Sequence, residues 1–236
     1  MRIKTDKNIH APLYIVLGEI AALWVLANVG YYTILPIFGY QLSYNSAPIV
    51  IAGYFLLWAL ISIVNFWELF KKHFKAKYHI WTYGILSLGS AALIWGLLYL
   101  FSFLPILKGP HLAPYTDILF ATPWYFLPKS VEILVQQTLI AVLILEFYFR
   151  FNSLKETIVS YAICFGGAHI LLFYIGSAPT QYAVIITLGS LLSSLIFPYL
   201  ILRVRGGFVY SYMIHLIFYI LLAIFLHTWP LRGYVL

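Results

Sequence analysis

The sequence predicts an all-α, polytopic membrane helix bundle. Three observations predict this fold class: an apolar composition, a series of apolar stretches long enough to cross a bilayer, and an uneven distribution of basic residues. Of the 236 residues, 63% are hydrophobic and only 9% are charged. A soluble domain carries about 25% charged residues. We therefore expect the lipid bilayer to surround most of the chain.

A transmembrane helix needs about 20 predominantly apolar residues. Because short loops separate the candidate stretches, we expect one integral membrane domain over residues 1–236. A further segment at 117–130 contains Pro123 and Pro128. It is either an interfacial helix, which would make eight helices, or an extension of the fourth span bent at the prolines. The seven predicted spans are 13–35, 47–69, 80–104, 131–149, 157–175, 181–202 and 208–227.

The basic residues predict the orientation, because cytoplasmic loops carry an excess of Lys and Arg. A cytoplasmic N-terminus and an outer C-terminus place eleven of the 14 Lys and Arg inside. The three that fall outside are Lys108, Lys129 and Arg232. The net charge of +7 thus reflects membrane topology and indicates no nucleic-acid partner.

Polar residues inside the predicted spans mark the candidate site. Gln136 and Gln137 lie in the fourth span, His169 in the fifth and His215 in the seventh. Polar and ionisable groups are costly in hydrocarbon, so such positions indicate function by default. Their depths are comparable, and we expect the four side chains to line one cavity between these spans. The alternative is that each histidine only hydrogen-bonds a neighbouring helix.

The spacing of these residues resembles a known pattern. Phe165 and His169 are four residues apart, so they share a helix face. The segment 124–227 resembles the CAAX-protease and bacteriocin-processing (CPBP) family of intramembrane endopeptidases. That family carries Glu-Glu-x-x-x-Arg, then Phe-x-x-x-His, then His-x-x-x-Asn or a close variant, each on its own helix. Here Phe165 and His169 match the second part, and His215 begins the third.

The chain departs from the family pattern at its charged positions. Gln136 and Gln137 stand where the family has two glutamates, Ala141 stands at the arginine and Tyr219 at the asparagine. The resemblance implies that a glutamate activates water and that the histidines bind a metal or polarise the carbonyl group. A carboxamide cannot take a proton from water. We therefore expect an endopeptidase scaffold whose activity is lost or altered. Its role would be binding, immunity or regulation, with a hydrophobic peptide or a membrane protein as partner.

Glu132 supports an alternative hypothesis. It precedes Gln136 by four residues, so it shares that helix face and could act as a displaced base with His169 and His215. The protein would then be an active protease of hydrophobic or membrane-delivered peptides, as it would be if a glutamine oriented the attacking water. The competing interpretation is that Glu132 caps the start of the fourth span near Lys129. A small transporter or a haem-binding protein is a third class. The sequence leaves metal and cofactor open.

Overall fold

The computed structural model describes residues 11–39, 42–74, 92–104, 118, 120–176 and 180–228. Within those ranges the ordered elements are helices and none is a strand, which confirms the predicted all-α class. Eight helices result: α1 (Leu13–Ile37), α2 (Pro48–Asn65), α3 (Trp67–Phe74), α4 (Ala92–Phe101), α5 (Pro123–Phe151), α6 (154–176), α7 (Thr180–Arg203) and α8 (Gly207–Thr228).

Five of these helices are long and apolar enough to cross a membrane, namely α1, α2, α5, α7 and α8. They confirm five of the seven predicted spans. The fifth predicted span is a continuous helix, α6, but it is not among those five. Within the third predicted span, α4 covers 92–101, whereas residues 80–91 lie outside the described part of the chain. The basic residues of both termini also lie outside it, so the orientation stays a prediction.

The proline-containing segment before the fourth span is an extension of that span. A single 3₁₀ turn, Pro123–Tyr125, leads directly into the α-helix Phe126–Phe151. Pro128 is tolerated there because the first turn of a helix leaves its N–H groups unpaired. Glu132 therefore lies inside helix α5, and so does Lys129, which the predicted topology counts among the outer basic residues.

Helix α5 is the centre of the bundle. It packs against α1, α2, α3, α6, α7 and α8. Of its spanning window, 78% is buried, compared with 11% for α1. The central helix carries both glutamines of the candidate site, and the peripheral helix α1 is largely free to contact lipid.

Short connections follow α5 and α7 and hold the next helix of the chain beside each of them. Asn152 ends α5 in the left-handed conformation, with φ of 50°, which asparagine tolerates better than most residues. Ser153 then caps α6 by accepting a hydrogen bond from the backbone N–H of Glu156, which satisfies one of the unpaired N–H groups of the first turn. Gly206, with φ of 74°, turns α7 into α8. Because the connection is short, these two helices pack side by side.

Helix α6 contains one π-helical turn, Ala162–Gly166. Such a turn holds an extra residue and is frequently found at functional sites. It ends three residues before His169. The rings of Tyr161 and Phe165 stack across it, with centroids 5.1 Å apart.

Candidate functional site

Gln137 joins α5 to α8 in the interior of the bundle. Its side chain is fully buried. Its amide nitrogen donates a hydrogen bond to the Ser211 hydroxyl at 2.7 Å, and its Oε1 lies 3.3 Å from Nδ1 of His215. In that pair the amide oxygen accepts, so His215 carries its proton on Nδ1 and keeps Nε2 as an acceptor. The first and third motif positions therefore meet.

His215 is held between two aromatic rings. Its ring lies 6.0 Å from that of Phe197 and stacks on that of Tyr219 at 5.6 Å, centroid to centroid. His215 and Tyr219 are four residues apart and therefore share one helix face. Since both rings are fixed by packing, the Nε2 atom of His215 has a defined direction.

His169 is oriented by its own helix. Its Nδ1 donates to the backbone carbonyl of Phe165 at 2.7 Å, and the two rings meet edge to face with centroids 4.4 Å apart. Nε2 is then the acceptor nitrogen of the ring. This pairing also agrees with the spacing that the sequence predicts.

Two adjoining cavities surround these side chains. The first, of about 350 Å³, lies between α1, α5 and α6, and its polar lining residues are Gln136, His169 and Tyr219, with Cys164 beside them. The second, also of about 350 Å³, lies between α6, α7 and α8 and includes His169, His215 and Tyr219. His169 and Tyr219 belong to both cavities and form part of the boundary between them.

The expectation of one cavity lined by all four motif positions needs correction. Gln136 lines the first cavity and His215 the second, while Gln137 lines neither. The physical reason is that the amide of Gln137 is directed at Ser211 and His215. Successive residues of a helix point about 100° apart, so adjacent glutamines cannot both face the same space.

Glu132 is buried and accepts three hydrogen bonds. Its Oε2 accepts from the Tyr44 hydroxyl at 2.7 Å and from Nζ of Lys129 at 2.8 Å. Its Oε1 accepts from Nε2 of Gln136 at 2.8 Å. The interpretation of Glu132 as a helix cap is wrong, because α5 begins two turns earlier. Glu132 does not line either cavity, but it touches Gln136, which lines the first.

Lys129 supplies a cation that sequence reasoning did not assign to the site. Its ammonium group lies 4.1 Å from the ring centroid of Tyr219 and 6.0 Å from that of Tyr44. Both Lys129 and Glu132 are buried, and a cation over an aromatic face is favourable, more so when it is desolvated. The spacing of three residues between Lys129 and Glu132 was an available signal.

Tyr44 was also missed. It lies in the connection between α1 and α2, outside the spanning helices. Burial raises the pKa of its phenol well above the ordinary value, and the nearby carboxylate of Glu132 raises it further. Its ring packs at 5.2 Å from that of Tyr125 and at 5.4 Å from that of Tyr31. No sequence signal predicts this contact, because 88 residues separate Tyr44 from Glu132.

In chemical terms, the first cavity presents neutral hydrogen-bonding groups on an apolar wall. Among the residues that the structure describes, no group of three or more His, Cys, Asp and Glu is arranged to hold a metal ion. Glu19, an acidic residue in α1, is exposed and lines neither cavity.

Compared with protein-family models, with curated proteins and with solved structures, the chain matches none of them.

Proposed function

We propose that this protein is a CPBP-like membrane protein that binds an apolar ligand in its first cavity and does not hydrolyse peptides. The observation that carries the proposal is that, among the described residues, no free carboxylate lines that cavity. Gln136, an amide, occupies the position where the family has a carboxylate, and the carboxylate of Glu132 is engaged by three protein donors.

The arrangement of the motif positions supports the scaffold. The glutamine pair, His169 and His215 stand on three helices in the order of the family pattern. Gln136, His169 and His215 line two adjoining cavities, and Gln137 joins this group through its bond to His215. Isolated histidines that only bridge helices would not require this convergence.

The chemistry of the site supports a loss of hydrolysis. Attack of water on a peptide bond requires a group that takes its proton, and such a base contributes about 10² to 10⁴ in rate. The amide of Gln136 can orient a water molecule but cannot accept its proton. Glu132 lines neither cavity, and Lys129 and Tyr44 hold the Oε2 atom of its carboxylate.

One observation favours the alternative of an active protease. The bond between Gln136 and Glu132 links a buried carboxylate to the cavity wall, so a water molecule bound by Gln136 would lie near that carboxylate. In this alternative, Glu132 is the base, and His169 and His215 stabilise the developing oxyanion.

A cleavage assay distinguishes the two functions. The purified protein in nanodiscs is incubated with a library of hydrophobic peptides, and products are detected by mass spectrometry. We expect no cleavage above that of empty nanodiscs. Cleavage that disappears in His169→Ala and in Glu132→Gln would establish the displaced base. Loss in His169→Ala alone would show a working site without that base. His73→Ala is the matched control, because His73 lies at the end of α3, away from both cavities.

A further inference from the structure

The first cavity has a wall that faces the membrane. Helix α1 contributes Leu17, Ile20, Ala21 and Trp24 to its lining. This helix packs against α2 and α5 rather than against α6, and it is the least buried of the five spanning helices. The space between α1 and α6 is therefore the route by which a molecule in the bilayer would reach Gln136 and His169.

The lining of this cavity is electrically neutral. Its polar members are Gln136, His169 and Tyr219, and none of the described residues around it is Lys, Arg, Asp or Glu. The nearby charges of Lys129 and Glu132 neutralise each other at 2.8 Å. A charged ligand head would be left without a partner in a medium of low dielectric constant, which is costly. The ligand is therefore uncharged.

The free hydrogen-bonding groups of the lining favour a ligand that both donates and accepts. His169 uses Nδ1–H on the carbonyl of Phe165 and presents Nε2 as an acceptor. Gln136 uses one N–H on Glu132 and keeps both its Oε1 and its second N–H. A hydroxyl group can donate to these acceptors and accept from that N–H, whereas an ester or ether can only accept and leaves Nε2 of His169 without a donor. The head of the ligand is therefore an alcohol.

The walls of the cavity separate a lipid chain from an extended peptide. An extended peptide would place its amide groups against walls formed largely by aliphatic and aromatic side chains. Each unsatisfied amide there costs several kcal/mol. An aliphatic chain carries no such groups, and a cavity of about 350 Å³ favours one chain over two.

We propose that the first cavity binds a neutral, single-chain lipid with an alcohol head, such as a monoacylglycerol, which enters from the bilayer between α1 and α6. The hydroxyl groups of the head reach Gln136 and His169, and the chain lies along the side of α1 that carries Leu17 and Trp24. This inference rests on the proposed binding function and names its ligand class.

Trp24 provides a direct test. The probe is a monoacylglycerol with a brominated chain, titrated into nanodiscs of unbrominated phosphatidylcholine, with tryptophan fluorescence as the readout. We expect saturable quenching that is lost in Trp24→Phe and kept in Trp67→Phe, since Trp67 lies at the start of α3. Quenching that is linear in probe, or equal in both variants, would overturn the proposal.

Two further comparisons define the site. Ala21 lines the cavity and its neighbour Ala22 does not, so Ala21→Leu should weaken binding at least tenfold while Ala22→Leu leaves it unchanged. The brominated fatty acid methyl ester has the same chain but no hydroxyl, and we expect it to bind roughly tenfold more weakly, equivalent to about 1.4 kcal/mol. Equal binding of ester and alcohol would refute the assigned head group.

The failures of the two proposals are distinguishable. Absence of saturable quenching, with no peptide cleavage, would remove the lipid ligand and leave the non-catalytic scaffold in place. Peptide cleavage by the unmodified chain would remove the proposed function, whatever the quenching result.

Discussion

Gln137 and His215 lie in hydrogen-bond contact, with Oε1 and Nδ1 3.3 Å apart, although 78 residues separate them in the chain. This contact connects the central helix α5 to α8. It also fixes the tautomer of the imidazole, so the two residues act as one structural unit beside the second cavity.

Gln137→Leu should destabilise the protein by about 1 to 3 kcal/mol, because the hydroxyl of Ser211 and Nδ1–H of His215 lose their partner in a buried place. Thermal unfolding in detergent measures the loss. In a double-mutant cycle with His215→Leu we expect a coupling near 0.6 kcal/mol, the average for hydrogen bonds between membrane helices. Strict additivity would contradict the contact.

Lys129→Met should be more damaging than the loss of a surface charge. It leaves the carboxylate of Glu132 buried without its cation, which costs about 3 to 5 kcal/mol. The double variant Lys129→Met with Glu132→Gln should recover much of the loss. Lys71→Met is the matched control. It breaks a pair with Glu68 whose side chains are 43% and 81% exposed, and we expect a change below about 1 kcal/mol.

Tyr44 predicts a loss of stability at alkaline pH. The raised pKa of its phenol means that the folded state keeps the proton after the unfolded state has released it. Its contribution is therefore complete below the ordinary tyrosine pKa of about 10 and declines above it. Unfolding measured from pH 8 to pH 11 should show a steeper decline in the unmodified protein than in Tyr44→Phe. Tyr14→Phe, at an exposed position, should follow the unmodified protein.

Gln136→Glu should not create a protease. The new carboxylate would replace the amide that donates to Oε1 of Glu132 at 2.8 Å, so two acceptors would face each other. We expect lower stability, by about 1 to 3 kcal/mol, and no peptide cleavage. Turnover above that of the unmodified chain, measured by mass spectrometry of peptide products, would show that a carboxylate at this position is sufficient.

The predicted orientation places two exposed positions on opposite sides of the membrane. Phe38 follows the end of α1, on the side predicted to be outside, and Arg205 lies between α7 and α8, on the side predicted to be cytoplasmic. In a Cys164→Ala background, a membrane-impermeant maleimide added to intact cells should label Phe38→Cys and not Arg205→Cys. Labelling of both, or the reverse pattern, would refute the topology.

Helix lengths and contacts within one helix could be predicted from the sequence, because they depend on the length of an apolar stretch and on the spacing of residues. The lengths of α1, α2, α5, α7 and α8 follow from their apolar stretches, and the ring contact of Phe165 with His169 follows from their separation by four residues. The different directions of Gln136 and Gln137 were equally predictable, since one residue of a helix corresponds to about 100° of rotation.

Lys129 and Tyr44 mark where local reasoning fails. The prediction that Lys129 lies outside the fourth span considers only the free-energy cost of burying one charge. Glu132 cancels much of that cost one turn later on the same helix. The bond from Tyr44 to Glu132 depends on how the connection after α1 folds against α5, and nothing within either segment encodes its partner.

The π-helical turn of α6 contains one more residue than a regular α-helical turn. An extra residue in an α-helix would normally rotate every later side chain by about 100°, but the turn at Ala162–Gly166 absorbs it locally. Removing one residue there, for example Ile163, would convert the turn into ordinary α-helix. Tyr161 and His169 would keep the faces they now present. This part of the chain should therefore tolerate a change of length by one residue, a form of variation that a regular α-helix in the core would not accept.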